Sequence, residues 1–183
     1  MLNLEHWLRS FSHNSKKSAK IYGTIVEQIR NPIFYVRYGV QDTIVGRYEL
    51  LVLHIAIILA ILRLYEPANG PLSRGIVEAF VTDMDDNMRE MGIGDMSVPR
   101  QVKKVSAGLL ERSRDYIKSL QDNNELVLGS HLVQHLGNNN KELEITGLTR
   151  YVIATYNELS KNPKDIAKLV KSFPDPTDYV SKT

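Results

Sequence analysis

The sequence predicts an all-α fold, a single-domain helical bundle of about seven to eight helices around a buried central apolar helix. Three observations predict it. Apolar side chains recur at helical spacing along most of the chain. Proline, glycine and capping residues stand where those segments start and stop. No stretch alternates apolar and polar residues between hairpin turns, which leaves nothing to build a sheet. The 183 residues suit one compact domain, and 43% hydrophobic with 24% charged residues is the composition of an ordered globular chain. No internal repeat, low-complexity tract or long linker divides it.

Residues 1–14 read as a peripheral N-terminal segment of the single domain 1–183. The basic, serine-rich stretch from Met1 to Lys20 has features of a transit peptide, but Glu5 and its unbroken run into patterned sequence place it in the mature domain. Ala19, Tyr22, Ile25, Val26 and Ile29 then mark a helix that stops before Pro32. Asn31 caps a short helix with Pro32 at its first position, and Gly39 closes it. The central helix runs from about Gly46 to Glu66 and holds the apolar run Leu50 to Leu62, interrupted only by His54. A membrane span needs about 20 apolar residues, so this shorter run predicts a core helix with His54 hydrogen-bonded inside it. Pro67 and Gly70 stop it.

Ser73 caps the next helix, whose face is Val77, Phe80, Val81, Met84, Met88 and Met91, and Gly92 ends it in the left-handed conformation. Past the loop from Gly92 to Met96, Ser97 and Pro99 open a long helix patterned by Val98, Val102, Val105, Leu109, Tyr116, Ile117 and Leu120. Asn124 begins another, ending near Gly137. Asn139 and Glu142 form a capping box for the helix carrying Leu148, Val152, Ile153 and Tyr156, and Asn162-Pro163 starts the last one. Residues 174–183, beyond Phe173-Pro174-Asp175-Pro176, are expected to form a mobile tail.

Most chemistries fall away on inspection. The chain has no cysteine, which removes disulfides, iron–sulfur clusters, thiolate metal sites and cysteine nucleophiles together, and fits a reducing compartment. A net charge of +2 makes no case for DNA. His131 and His135 have metal-sharing spacing, but Leu132 stands where a zincin has glutamate, so both read as structural histidines. The stretch from Asp83 to Asn87 begins like a calcium loop, yet Met88 and Gly94 occupy the positions that need glycine and glutamate. Asp83, Asp86 and Glu90 share a helical face and, without a second aspartate-rich motif, read as a solvated acidic face and not a magnesium site. Gly92-Ile93-Gly94 follows a helix and lacks the third glycine of a nucleotide fingerprint. No catalytic residue, metal or cofactor is expected.

Two features remain. Met84, Met88, Met91 and Met96 crowd one helix end and the loop after it, either as a core stripe or as an adaptable apolar surface. Arg100, Lys103 and Lys104 open the next helix, where the dipole disfavours cations by a few tenths to about 1 kcal/mol. They answer either to the acids between Glu78 and Asp95 or to an outside partner.

At these residues the chain resembles a known family, the ubiquinol–cytochrome c chaperones. The densest match is Asp83-Met84-Asp85, then Arg89-Glu90-Met91-Gly92-Ile93-Gly94-Asp95-Met96, Val98-Pro99-Arg100 and Val102-Lys103. It extends upstream through Tyr22, Ile25-Val26, Gln28, Arg30, Pro32, Phe34-Tyr35, Asp42-Thr43, Gly46-Arg47-Tyr48-Glu49 and Leu53-His54. Downstream, Arg112 and Tyr116 match an arginine and a tyrosine of the family's long helix. Two places depart: Ala107 to Glu111 replaces a more aromatic stretch, and Arg100 stands for a lysine.

The resemblance implies a non-enzymatic assembly factor that binds newly made cytochrome b and promotes assembly of ubiquinol–cytochrome c reductase. It also implies a small partner protein or the ribosome as further partners, and allows peripheral membrane contact. An alphaproteobacterial-type member would act in the cytoplasm, at the cytoplasmic face of the inner membrane, and a eukaryotic one in the mitochondrial matrix. Arg89, Glu90, Met91, Gly92, Gly94, Asp95, Met96, Arg100 and Lys103 are expected to form the partner-binding patch. Two other classes stay open at this point. One is a ribosome- or RNA-binding adapter using Arg9, Lys16, Lys17, Lys20 and the Arg100–Lys104 cluster. The other is a metal-dependent enzyme using Asp83, Asp86 and Glu90.

Overall fold

A computed structural model describes residues 13–65, 69–137, 143–161 and 173–181. They form seven α-helices: α1 His13–Gln28, α2 Ile33–Val36, α3 Ile44–Arg63, α4 Gly70–Glu90, α5 Val98–Gln121, α6 Glu125–Leu136 and α7 Ile145–Ser160. A 3-10 turn, Pro176–Tyr179, follows. There is no strand among the described residues, as the absence of alternating patterns predicts. The N-terminal segment 1–12, the Asn139–Glu142 capping box and the helix expected from Asn162-Pro163 lie outside the described residues.

α3 is the axis of the bundle. From Leu50 to Leu62 every side chain is buried except half-buried Leu59. At 20 residues α3 is long and apolar enough to cross a bilayer, but α5, α7, α4, α1 and α6 all pack on it, and beyond its first turn most of its apolar surface is spent on the core. Each fully buried leucine or isoleucine contributes roughly 1.5–3 kcal/mol. α1 lies along α4 and α5 along α3.

α3 starts two residues earlier than expected. Thr43 is extended and its hydroxyl accepts the Gly46 N–H at 3.1 Å, which puts Ile44 and Val45 in the first turn. α4 likewise starts at Gly70 after Asn69, with Pro71 in its first turn, and not at Ser73, whose hydroxyl donates back to the Asn69 carbonyl. Gly92 does close α4 with φ 78°, and Gly39 has φ 74° after α2.

The buried face of α4 is rotated from the expected one: Leu72, Ile76, Ala79, Phe80, Asp83 and Met88 point inward, and Met91 is exposed. The cause is α1. Its Ser18 sits where a Cβ on Gly75 would lie, and the Tyr22 hydroxyl donates to Asp83 Oδ2 at 2.6 Å. The solvated acidic face expected of Asp83, Asp86 and Glu90 is therefore wrong for Asp83, which is a buried α1–α4 link, while Asp86 and Glu90 are exposed.

His54 is fully buried with both ring nitrogens bonded. The Leu50 carbonyl lies 2.8 Å from Nδ1 and requires a donor there, so Nε2, 2.9 Å from the Tyr151 hydroxyl, accepts its O–H. Gln28 Nε2 completes the chain by donating to the Tyr151 oxygen at 3.1 Å. Burial pushes the imidazole down to about 4. Phe34 packs edge-on against both rings.

The tail expected to be mobile is docked on this cluster as far as it is described. Tyr38 donates to the Pro176 carbonyl at 2.6 Å, Ser181 donates to Glu144, and Phe173 and Tyr179 meet the His54 and Tyr151 rings. Glu144, which caps α7 through the Gly147 N–H, is the shared anchor. The proline-rich sequence reads as a helix stop followed by a free tail, but its aromatic residues had a core to reach.

Candidate functional site

An apolar groove of about 410 Å³ opens between the C-terminal ends of α1 and α4, the start of α3 and the first half of α5. Val26, Ile29, Ile44, Val45, Leu51 and Val105 line it, together with Met84, Met88 and Met91. Ile44 is 72% exposed, Val45 54% and Met91 53%. Large apolar side chains gathered at one opening, instead of scattered, mark a place for a partner.

Charge frames the opening. Arg47 pairs with Asp42 at 2.6 Å and lies over the Tyr35 ring. Arg30 is exposed on the rim. Inside, Asp83 offers Oδ2 to Tyr22, while its Oδ1 is buried and has no hydrogen-bond partner among the described residues. Burial pushes this carboxyl up, an effect the Tyr22 hydroxyl offsets in part. The α5 wall is fixed by the buried pair Arg112 Nε to Glu49 Oε2 at 2.6 Å and by Tyr48, which donates to the Val105 carbonyl. Burial raises Glu49, and Arg112 opposes the rise.

The expected patch residues divide into groups. Met91 lines the groove. Arg89 is a clip across the turn, pairing with Asp85 and with Asp95, both at 2.6 Å, so Arg89 and Asp95 answer each other across Gly92 and Gly94. Glu90 is exposed at the end of α4. Met96, 96% exposed, stands beyond the groove on the same loop. Arg100 and Lys103 are exposed and make no ion pair among the described residues, so the acids of α4 do not account for them.

Sequence reasoning missed Ile44, Val45, Leu51 and Val105 as groove residues and Asp83 as a buried one. The signal for the first two was present in Thr43, a good N-cap three residues before the glycine taken as the helix start. Nothing local marks Asp83, because its burial depends on Tyr22, sixty-one residues away.

His131 and His135 do stack on each other, with ring centroids 6.3 Å apart, but they face α5. His131 meets Ser119 at 3.0 Å and His135 meets Asp115 at 3.2 Å, a carboxylate not anticipated from sequence. No group of three histidine, aspartate or glutamate side chains able to hold a metal occurs among the described residues.

The residues around the groove are largely those that carry the family resemblance: Val26, Arg30, Tyr35, Arg47, Tyr48, Asp83, Met84 and Met91. A sequence model described as ubiquinol–cytochrome c chaperone matches residues 36–168, well over half of the chain. The chain belongs to the ubiquinol–cytochrome c chaperone family. Among solved structures, the crystal structure of the Cbp3 homolog from Brucella abortus is similar, with 30% identity and a TM-score of 0.78. The match covers 98% of this chain and 100% of that one. Comparison with curated proteins gives no match. Membership in this family gives the chain a chaperone role, in which a client protein is bound and no reaction is implied.

Proposed function

We propose that the chain is an assembly chaperone for ubiquinol–cytochrome c reductase that holds an apolar segment of newly made cytochrome b in the α1–α3–α4–α5 groove, in the cytoplasm at the membrane face. The observation that carries this reading is the groove itself. Its walls are methionine and branched aliphatic side chains, with Ile44, Val45 and Met91 left exposed at its opening. Methionine adapts to varied apolar shapes, as a holder of unfinished client needs. The turn from Arg89 to Asp95, with Arg100 and Lys103 exposed and without an ion pair among the described residues, sets the client's register by charge.

The test is Ile44→Glu with Val45→Glu in cells carrying no other copy. Both positions are exposed, so the melting temperature should hold, with a change of about 0.5 kcal/mol or less. Cytochrome b should no longer co-purify, and assembled reductase should fall to the level of a deletion strain. Normal co-purification and normal reductase would remove the groove from the proposal.

A further inference from the structure

A second opening, about 600 Å³, lies at the other end of α3. Arg63 closes α3, Arg74 belongs to the first turns of α4 and Arg114 to the middle of α5, and all three line this pocket. All three are exposed, and none forms an ion pair among the described residues. Glu78 is the single acid in the lining. Three helices that bring like charges to one opening incur mutual repulsion unless an anion sits between them. The walls below the arginines are apolar and include Leu59, Leu110 and Ile117. Leu110 is 60% exposed, and Leu64 and Tyr65, next to Arg63, are also exposed. A second, independent observation points inward: Ser113 is 4% exposed, lines the pocket, and its hydroxyl has no hydrogen-bond partner among the described residues. A buried hydroxyl left unpaired calls for an explanation, and a ligand oxygen supplies one.

Cations at the mouth, an apolar wall and a free hydroxyl together fit an amphiphile with an anionic head. We infer that this pocket binds one anionic phospholipid, its phosphate among Arg63, Arg74 and Arg114 and an acyl chain along Leu59, Leu110 and Ile117. Bound there, the lipid seats the far end of α3 on a membrane surface while the client groove at the other end stays open. The site is separate from the groove and does not depend on the groove reading.

Calorimetry on the full chain tests it, with three probes: short-chain phosphatidylglycerol below its micelle concentration, phosphatidylcholine of the same chains, and glycerol phosphate. Phosphatidylglycerol should bind at least about tenfold more tightly than either of the others, the scale set by net head charge and by buried chain together. Arg74→Glu with Arg114→Glu should weaken it at least about thirtyfold, and Leu110→Glu should weaken it too, with melting temperatures unchanged. If the double charge reversal disturbs folding, Arg74→Gln with Arg114→Gln reads the same loss. Equal binding of glycerol phosphate makes this a phosphate site and overturns the lipid assignment. Equal binding of phosphatidylcholine overturns recognition of the head. No binding of phosphatidylglycerol, or binding indifferent to the arginines, overturns the inference altogether.

Discussion

α3 is two environments on one helix. Around its middle, from Leu50 to Ile58, every side chain is buried, and its one imidazole has a partner at each nitrogen. In its first turn, equally apolar side chains at Ile44 and Val45 face water across a groove, where the buried Asp83 Oδ1 has no partner among the described residues. Composition does not separate the two, since isoleucine and valine occur in both. What separates them is cover. The middle is wrapped by α5, α7, α4, α1 and α6, with Phe34 and Phe173 against its imidazole, whereas α2 stops at Val36 and Ile44 and Val45 are left exposed. A chaperone must close its own core and still keep apolar surface for a client, and here the division is made by where the neighbouring elements end.

The largest effect expected at this boundary comes from the pair that fixes it. Arg112→Ala leaves the Glu49 carboxylate buried and unpaired between the closed core and the groove wall. A loss of about 3–5 kcal/mol is expected from denaturant unfolding. Glu49→Gln should cost clearly less, because the Arg112 side chain is 23% exposed and its guanidinium can turn to water. Equal losses would mean that the pair is no part of the sealed half.

Next comes acid. His54 is neutral in the fold and titrates near 4, against 6.5 when unfolded. Between those values the unfolded chain binds the extra proton, so stability rises with pH through the window from 4 to 6.5 and levels off above it. Below 6.5 the contribution falls away, by on the order of 3 kcal/mol at the bottom of the window. Protonation would also put a hydrogen on Nε2 where it now accepts from Tyr151. Glu49 and Asp83, which burial raises, titrate in the opposite sense. The measurement is therefore the difference in thermal unfolding between wild type and His54→Gln across pH 4 to 7. A flat difference would show that His54 is less sealed than its geometry.

Much of this contrast was legible in the sequence and some of it was not. The central helix, the capped Asn124 start of α6, the left-handed Gly92 and the interior role of His54 follow from local signals that act within a turn or two. The docked tail, the rotated face of α4 and the burial of Asp83 rest on contacts between distant segments, which no local pattern encodes. Half of the candidate site was visible for the same reason. The charged turn is local, but the groove exists only because four helices end or begin beside one another.

The smallest expected effect on stability belongs to the charges at the start of α5. Arg100 and Lys103 sit in the first two turns of α5, exposed and without an ion pair among the described residues, where the helix dipole opposes them. If they served the fold, acids of α4 should meet them. Instead those acids are used elsewhere: Asp85 and Asp95 hold Arg89, and Asp83 holds Tyr22. Arg100→Glu with Lys103→Glu should leave the melting temperature level or slightly higher, since acids suit a helix start, within about 0.5 kcal/mol. The functional effect should be large. Client capture should slow and lose its dependence on salt, because charges at the rim act mainly on the rate of encounter. A variant that is stable, captures client at the wild-type rate and keeps the same salt dependence would strip these two residues of a docking role and leave the groove to act by apolar contact alone.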